Sequence, residues 1–205
     1  MKTYIWKLSE EKLKDTNLYF YSNFIKQKYK INIDADFNKI WDWSIKNPEK
    51  FWRSIWDFTK VIGNPGKVTL KKSNIFYKNK FFPDARLNYA ENLLKKNDST
   101  SAIIFKSENG YRNEITWYEL SSKVEKIANW MLSKGVKKGD RVAAYLPNIP
   151  ETVIAYLATS SIGAIWSSCS PDFGSNGVID RFSQISPKIL FIGDKYFYNG
   201  KKINI

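Results

Sequence analysis

Few side chains in this 205-residue sequence can take part in covalent or metal chemistry, and their types exclude several kinds of site. Histidine is absent, so a Ser-His-Asp triad, a Cys-His dyad and a histidine-bound metal cannot form within these residues. Cys169 is the only cysteine, which excludes an internal disulfide. Because no histidine can activate its thiol, we expect Cys169 to be buried as a small apolar side chain. We predict no catalytic residue and no metal ligand in this stretch.

Residues 170–174 (Ser-Pro-Asp-Phe-Gly) have the position of a ligand-binding loop. They follow a predicted strand at 164–168, and ligands of open α/β sheets bind beyond the carboxyl ends of parallel strands. Gly174 and Ser175 are expected to begin a helix whose free amides face an anion. The alternative is a purely structural role, with Asp172 as a helix cap.

The formal net charge of +13 raises the question of nucleic-acid binding. Most of the positive residues are Lys, and the few Arg residues lie far apart along the chain. Recognition of bases and phosphates favours clustered Arg, so we expect no nucleic-acid partner. A solvated Lys-rich surface, or affinity for a phosphorylated small molecule, is the preferred interpretation.

The sequence also bears on the compartment. No apolar stretch reaches the roughly eighteen residues that a membrane-spanning helix needs. The first ten residues (MKTYIWKLSE) lack the apolar core and the cleavage site of a secretory signal. A lone cysteine fits a reducing environment. We therefore expect a cytoplasmic protein without a membrane partner.

The first half of the chain has the pattern of aromatic helices. Residues 37–44 predict a short helix, and Asn47 is expected to cap a second helix that has Pro48 in its first turn. The second helix carries one apolar face, formed by Phe51, Trp52, Ile55, Trp56 and Phe58. We expect the tryptophans to pack in the core; base stacking on Trp41 or Trp43 is the alternative. Residues 60–80 predict a loop with short extended pieces, and 88–94 a short helix.

From about residue 101 the pattern changes to strands that alternate with helices. Apolar runs predict strands at 102–105, 141–146, 164–168 and 189–192. Asn109-Gly110 predicts a hairpin from the first of these into 111–115, and Thr116 with Glu119 forms a capping box for a helix that ends at Gly135. Further helices are predicted from Pro150 to 162 and over 177–185. The alternation predicts an α/β fold of βαβ units, with a parallel sheet covered on both faces.

Several separated blocks, in order and spacing, resemble the adenylate-forming acyl-CoA synthetases. They are FWRSIWDFTKVIG, FFPDARLNYAENLL and GDRVAAYLPNIPETVIAYLATSSIGAIWSS. The stretch SSCSPDFGSNGVIDRFSQISPKILFIGDKYFYNGKK is similar to the acetoacetyl-CoA synthetases among them. The resemblance runs from about residue 35 to the end, and it implies a helical N-terminal segment (1–95) followed by the start of the AMP-binding α/β domain (96–205).

The resemblance implies a two-step ligase reaction. ATP and a short carboxylic acid, expected to be acetoacetate, form an acyl-adenylate with Mg²⁺ neutralising the phosphates, and CoA then displaces AMP. Acetyl- or propionyl-CoA synthesis is the alternative within the class, and a non-catalytic docking module built on helices 36–60 is the alternative outside it.

The family's phosphate loop and its adenine, ribose and adenylating residues have no counterpart in these 205 residues, and no Gly-rich run here suits a triphosphate. We therefore expect the chain to be a truncated N-terminal portion that is inactive without the rest of the polypeptide. The residues for ATP and Mg²⁺ are expected outside this chain.

Two segments correspond to CoA-contacting segments of the family. The resemblance assigns CoA binding to Asp172, Phe173 and Gly174, in the loop that begins Ser170-Pro171, and to Tyr198, Asn199, Gly200 and Lys201. Tyr198 stands where the family has Arg, and Lys201 stands where a second Arg is expected, offering a phosphate a point charge without a bidentate fork. The alternatives are a turn at Asn199-Gly200 and a solvated Lys201. For Arg181 we expect a structural ion pair.

Overall fold

The computed structural model describes residues 8–205, in two compact units. The first unit ends at Leu87 and the second comprises Asn88–Ile205. Residues 88–94 belong to the second unit because the Asn88 amide nitrogen donates to the carbonyls of Ser160 and Ser161, both at 3.0 Å. The family's domain division at 95/96 stays a prediction. The beginning of the chain, where we expect no secretory signal, lies partly outside the described residues.

The described part of the first unit, from residue 8 on, consists of four helices followed by a small hairpin. The helices are α1 (Glu10–Lys14), α2 (Asn17–Tyr29), α3 (Phe37–Lys46) and α4 (Pro48–Phe58). Ser9, Thr16 and Asp36 begin the first three helices, and each side chain accepts a hydrogen bond from an amide of the first turn. Strands β1 (Leu70–Lys71) and β2 (Lys80–Phe81) pair antiparallel around a 3₁₀ turn at Phe76–Lys78.

An aromatic core joins α2, α3 and α4. Tyr21, Ile25, Ile40 and Trp43 are buried, and the rings of Tyr21 and Trp43 each pack edge-on against Phe51. The prediction that the tryptophans pack in the core is right for Trp43 and wrong for Trp41 and Trp52, which are 55% and 42% exposed; Trp56 is half-buried. Trp41 lies four residues from Phe37, and both face away from the side of α3 that carries Ile40 and Trp43. The apolar pattern of this helix therefore extends beyond the face that is buried.

Asn47 occupies the predicted position between α3 and α4, but its side chain does not cap α4. Within the described residues α4 has no side-chain cap, and the Asn47 amide nitrogen donates instead to the carbonyl oxygen of Trp43 at 3.2 Å. The prediction of a side-chain cap is wrong because Asn47 also ends α3, whose last carbonyls compete for the same side chain. Pro48 lies in the first turn of α4 as predicted.

The second unit contains a short helix, a hairpin, an α/β segment and a second hairpin. Its helices are α5 (Tyr89–Leu93), α6 (Trp117–Ser133), α7 (Pro150–Ser161) and α8 (Ser175–Ser183). Its strands are β3 (Ser101–Lys106), β4 (Arg112–Thr116), β5 (Arg141–Tyr145), β6 (Ile165–Cys169), β7 (Ile189–Ile192), β8 (Lys195–Tyr198) and β9 (Lys201–Asn204). The capping box of Thr116 and Glu119 is confirmed, as is the left-handed Gly135 (φ 76°) after α6.

The parallel sheet has the order β6-β5-β7, which confirms the predicted α/β fold. The predicted strand at 102–105 is not part of it: among the described strands β3 pairs with β4 alone, in an antiparallel hairpin. One face of the sheet packs through Val142 onto α6 and α7, and the other packs through Ala143 onto α8. Cover of the second face is partial, since Leu190 and Ile192 on β7 are exposed.

Candidate functional site

A cleft of about 520 Å³ lies at the carboxyl ends of β5 and β6. Four segments line it: the turn of the β3–β4 hairpin, residues 147–151 after β5, residues 170–172 after β6, and strand β8. Because β5 and β6 are parallel, the loops that follow them leave the same edge of the sheet. The topology alone thus brings the predicted loop to a concave surface.

Tyr145, the last residue of β5, fixes the loop after β6. Its hydroxyl oxygen lies 3.0 Å from the carbonyl oxygen of Pro171 and 2.7 Å from that of Phe173, so its one proton is shared between the two acceptors. The Phe173 amide donates to the carbonyl of Ser170 at 3.1 Å, which closes a turn within the loop. The loop is therefore held to the sheet by a side chain that the sequence alone does not single out.

Asp172 links this loop to β8. One carboxylate oxygen accepts from the Ser170 hydroxyl at 2.9 Å and the other from the Tyr196 hydroxyl at 3.2 Å. Burial, and then the hydrogen bond to the Asp172 carboxylate, raise the pKa of the Tyr196 phenol above its usual value. The suggestion that Asp172 caps a helix is wrong, since α8 begins after Gly174. Asp172 instead connects two segments that are separate in sequence.

Phe173 and Arg181 hold the start of α8 in place. The Arg181 guanidinium lies over the Phe173 ring, 4.2 Å from the ring centre, and donates to the carbonyl of Gly177 at 2.9 Å. The predicted ion pair is wrong: within residues 8–205, no carboxylate lies within salt-bridge distance of Arg181. Its partner is the exposed ring of Phe173, which lies eight residues earlier, just before α8 begins. Cys169, just before the loop, is buried as predicted.

The second predicted segment is the turn of the β8–β9 hairpin. Tyr198 pairs with Lys201, and Asn199 (φ 50°) and Gly200 (φ 71°) form the two-residue turn between them. The turn interpretation is thereby confirmed, although strands on both sides of it were not predicted. The Gly200 amide donates to a carboxylate oxygen of Glu108, in the turn of the β3–β4 hairpin, at 3.2 Å.

The predicted residues divide into two groups by position. Asp172 and Tyr198 line the cleft, as do Ser170 and Pro171. Phe173, Gly174, Asn199, Gly200 and Lys201 belong to the adjoining backbone and are not among its lining residues. Lys201 is exposed, as the solvated alternative expected.

Sequence reasoning missed other residues of the cleft. Lys106 and Lys195 bring positive charge to it, and Glu108 and Glu151 bring negative charge. The aromatic run Tyr-Phe-Tyr, which favours a strand and stands directly before the turn signal Asn-Gly, was the one sequence signal that could have identified strand β8. In the part of the chain that is described, no three acidic or cysteine side chains form a group that could hold a metal. No helix there combines the length and apolar character needed to cross a membrane.

Comparison with known proteins gives the same family for both units. The profile of the acetyl-coenzyme A synthetase N-terminus matches residues 37–93. An acetoacetyl-coenzyme A synthetase of Rhizobium meliloti (strain 1021) is 47% identical over 171 residues, which are 83% of this chain and 26% of that protein. An acetoacetyl-CoA synthetase of Xenopus tropicalis is 42% identical over 172 residues, or 82% of this chain and 26% of the relative.

A solved structure, acetoacetyl-CoA synthetase from Streptomyces lividans, matches with a TM-score of 0.86 at 31% identity. The match covers 97% of this chain and 31% of that one. This chain therefore spans about a quarter of the length of the curated relatives it matches. The profile described as AMP-binding enzyme matches residues 90–204, more than half of the sequence. The chain belongs to the family of AMP-binding enzymes.

Proposed function

We propose that this chain is part of an acid–thiol ligase that converts acetoacetate, ATP and CoA to acetoacetyl-CoA, AMP and pyrophosphate. One observation carries the proposal: residues from both segments expected to contact CoA line one cleft at the carboxyl ends of parallel strands. The acetoacetyl-CoA synthetases to which the chain is similar support acetoacetate as the acid.

The chemistry activates a carboxylate, which is a poor electrophile until one of its oxygens becomes part of a leaving group. A carboxylate oxygen attacks the α-phosphorus of ATP, and the bond to pyrophosphate breaks. The thiol of CoA then loses its proton and attacks the carbonyl carbon of the adenylate, and AMP departs with the electrons of the C–O bond. Mg²⁺ would neutralise phosphate charge in the first step. The described residues offer no cluster to hold it, so we assign no step of this chain to the metal.

The part that we assign to this chain is the binding of CoA. Lys106 and Lys195 supply positive charge to the cleft, and the rings of Tyr196 and Tyr198 supply apolar surface. Tyr145 acts as a positioning residue, because its hydroxyl bonds to the loop carbonyls. We place the nucleotide phosphates of CoA at the turn of the β8–β9 hairpin, where Lys201 adds charge.

Replacing Lys201 tests this assignment. In the protein at its native length, Lys201→Ala should raise the apparent KM for CoA about tenfold, as expected for one lost charge-assisted hydrogen bond. ATP–pyrophosphate exchange should stay unchanged, because the adenylation step precedes CoA. Lys72→Ala, which removes an exposed lysine of the first unit, is the matched control and should change neither quantity. Loss of exchange in Lys201→Ala would contradict the assignment.

The identity of the acid is a separate question. Comparing kcat/KM for acetoacetate, acetate and propionate separates the proposal from its alternative within the class. We expect acetoacetate to give the highest value; a preference for acetate or propionate would establish the alternative.

A docking module, the alternative outside the ligase class, is favoured by one observation. Phe37, Trp41 and Ile45 form an exposed apolar stripe on α3, each four residues from the next. The ligase assay distinguishes the two functions, because a docking module gives no acetoacetyl-CoA at native length.

We place the reaction in the cytoplasm, as a step of lipid and ketone-body metabolism. A free, buried Cys169 fits a reducing compartment. Location of the tagged protein in a secreted or membrane fraction would contradict this placement.

A further inference from the structure

The turn of the β8–β9 hairpin presents a backbone amide that makes no hydrogen bond to the neighbouring strand. In a two-residue hairpin turn the pairing of Tyr198 with Lys201 closes the ladder, so the Gly200 amide has no partner in the neighbouring strand. No described heavy atom lies within 4 Å of the position that a Gly200 side chain would occupy. The Cβ side of Gly200 is therefore open to an approaching ligand, and the next residue in sequence is the positively charged Lys201.

The Gly200 amide already donates to an anion that the chain itself supplies. A carboxylate oxygen of Glu108 lies 3.2 Å from the Gly200 nitrogen. Glu108 belongs to the Ser107–Tyr111 turn, which a hydrogen bond from the Ser107 amide to the carbonyl of Tyr111 closes. The contact thus joins the tips of two separate hairpins, both of which line the cleft.

The contact is suited to being exchanged for a ligand. Both partners are exposed, and a solvated hydrogen bond to a carboxylate stabilises only modestly because water competes for both groups. A phosphate bears more charge than a carboxylate and offers three acceptor oxygens, so it can replace Glu108 at the amide. A phosphate that arrives while Glu108 stays in place meets like-charge repulsion.

We propose that Glu108 competes with a phosphate group of CoA for the Gly200 amide, and thereby lowers the affinity of the cleft for CoA. The inference rests on the proposed function, since it takes CoA as the ligand of this cleft. It adds a residue that neither the resemblance nor the sequence pattern identified. In this account Glu108 is a specificity-determining residue, because a ligand without a phosphate gains nothing by displacing it.

Removing the carboxylate should tighten CoA binding. If Glu108 holds the amide for most of the time, the apparent dissociation constant for CoA is raised in inverse proportion to the fraction of molecules in which the amide is free. For a contact of ordinary solvated strength, Glu108→Ala and Glu108→Gln should each bind CoA about fivefold more tightly, as measured by titration calorimetry on the 205-residue chain. Glu125→Gln removes the same charge from an exposed position on α6 and should change the affinity less than twofold.

A second measurement detects the contact without any ligand. Amide hydrogen exchange at Gly200 should be several-fold faster in Glu108→Ala than in the original chain. Unchanged exchange, or CoA affinity in Glu108→Ala equal to that of the original chain, overturns the competition while CoA binding itself stands. An equal gain in Glu125→Gln also overturns it, because the effect would then be one of net charge. If exchange at Gly200 accelerates in Glu108→Ala but neither the variants nor the original chain binds CoA, the contact exists and CoA is not the ligand of the cleft. The competition and the proposed function then both fail.

Discussion

The buried hydrogen bond between Tyr21 and Ser54 offers the clearest test of what holds the aromatic core together. The two hydroxyl oxygens lie 2.7 Å apart, and the Ser54 hydroxyl also lies 2.7 Å from the carbonyl oxygen of Phe51. Ser54 is 0% exposed and Tyr21 6% exposed. Since the Ser54 proton goes to the carbonyl, the Tyr21 hydroxyl donates and Ser54 accepts.

The two single substitutions should have unequal costs. Ser54→Ala leaves the Tyr21 hydroxyl buried without a partner, which costs about 1–3 kcal/mol, offset by about 0.5 kcal/mol from the higher helix propensity of Ala. Tyr21→Phe removes the Tyr21 hydroxyl, so no donor is left buried without a partner, and Ser54 stays bonded to the carbonyl of Phe51. This substitution should therefore cost about 1 kcal/mol. Once Tyr21 is Phe, the added Ser54→Ala change should cost almost nothing, which gives a coupling energy of about 1–2 kcal/mol.

Urea unfolding followed by tryptophan fluorescence measures these differences, because Trp43 packs in the same core. Additive effects of the two substitutions, with a coupling energy near zero, would refute the reasoning. A pH series gives an independent check. Burial raises the pKa of Tyr21 to about 12 from an ordinary value of 10.0, so its contribution is complete below pH 10 and is lost as the pH rises towards 12. Tyr21→Phe should remove this part of the alkaline loss.

Two further predictions concern side chains of the second unit. Asn88→Asp keeps the acceptor that caps α5 through the Glu91 amide but turns a carboxylate towards the carbonyls of Ser160 and Ser161, so it should destabilise by about 2 kcal/mol, at least as much as Asn88→Ala. A higher free energy of unfolding in urea for Asn88→Asp would show that the stronger cap of α5 outweighs the repulsion between the new carboxylate and these carbonyls. Tyr145→Phe should speed hydrogen exchange in residues 170–174 several-fold while Tyr118→Phe, at an exposed position, leaves it unchanged; equal exchange in both variants would contradict the anchoring role of Tyr145.

Features that depend on residues close in sequence were predictable. The capping box at Thr116, the Asn109-Gly110 turn and the left-handed Gly135 each need only a few neighbouring residues, and each occurs as predicted. Strand and helix positions in the α/β segment followed from apolar periodicity for the same reason.

Features that depend on competition between distant groups were not predictable. The turn signal predicts that β3 pairs with β4, but it does not reveal whether the other edge of β3 also joins the parallel sheet. The Asn47 side chain can serve the helix before it or the helix after it. Arg181 contacts an aromatic ring rather than a carboxylate, because the fold places the ring of Phe173, eight residues earlier, against its guanidinium.

The candidate site has the same division. Residues 170–174 could be located from the strand that precedes them, since the carboxyl ends of parallel strands are where ligands bind. The partners that shape the site lie far away in sequence: Tyr196 meets Asp172 across 24 residues, and Glu108 meets Gly200 across 92. Only the topology of the hairpins brings these groups together.

The most direct test of the central claim is to titrate the ¹⁵N-labelled 205-residue chain with CoA and follow its amide signals. If the cleft binds CoA, the largest shifts should come from residues 170–174 and 198–201, and the signals of α2 and α4 should stay unchanged. Saturable shifts at both segments would support CoA binding as the function of this part of the ligase. No shift at millimolar CoA, or shifts confined to other residues, would contradict the account.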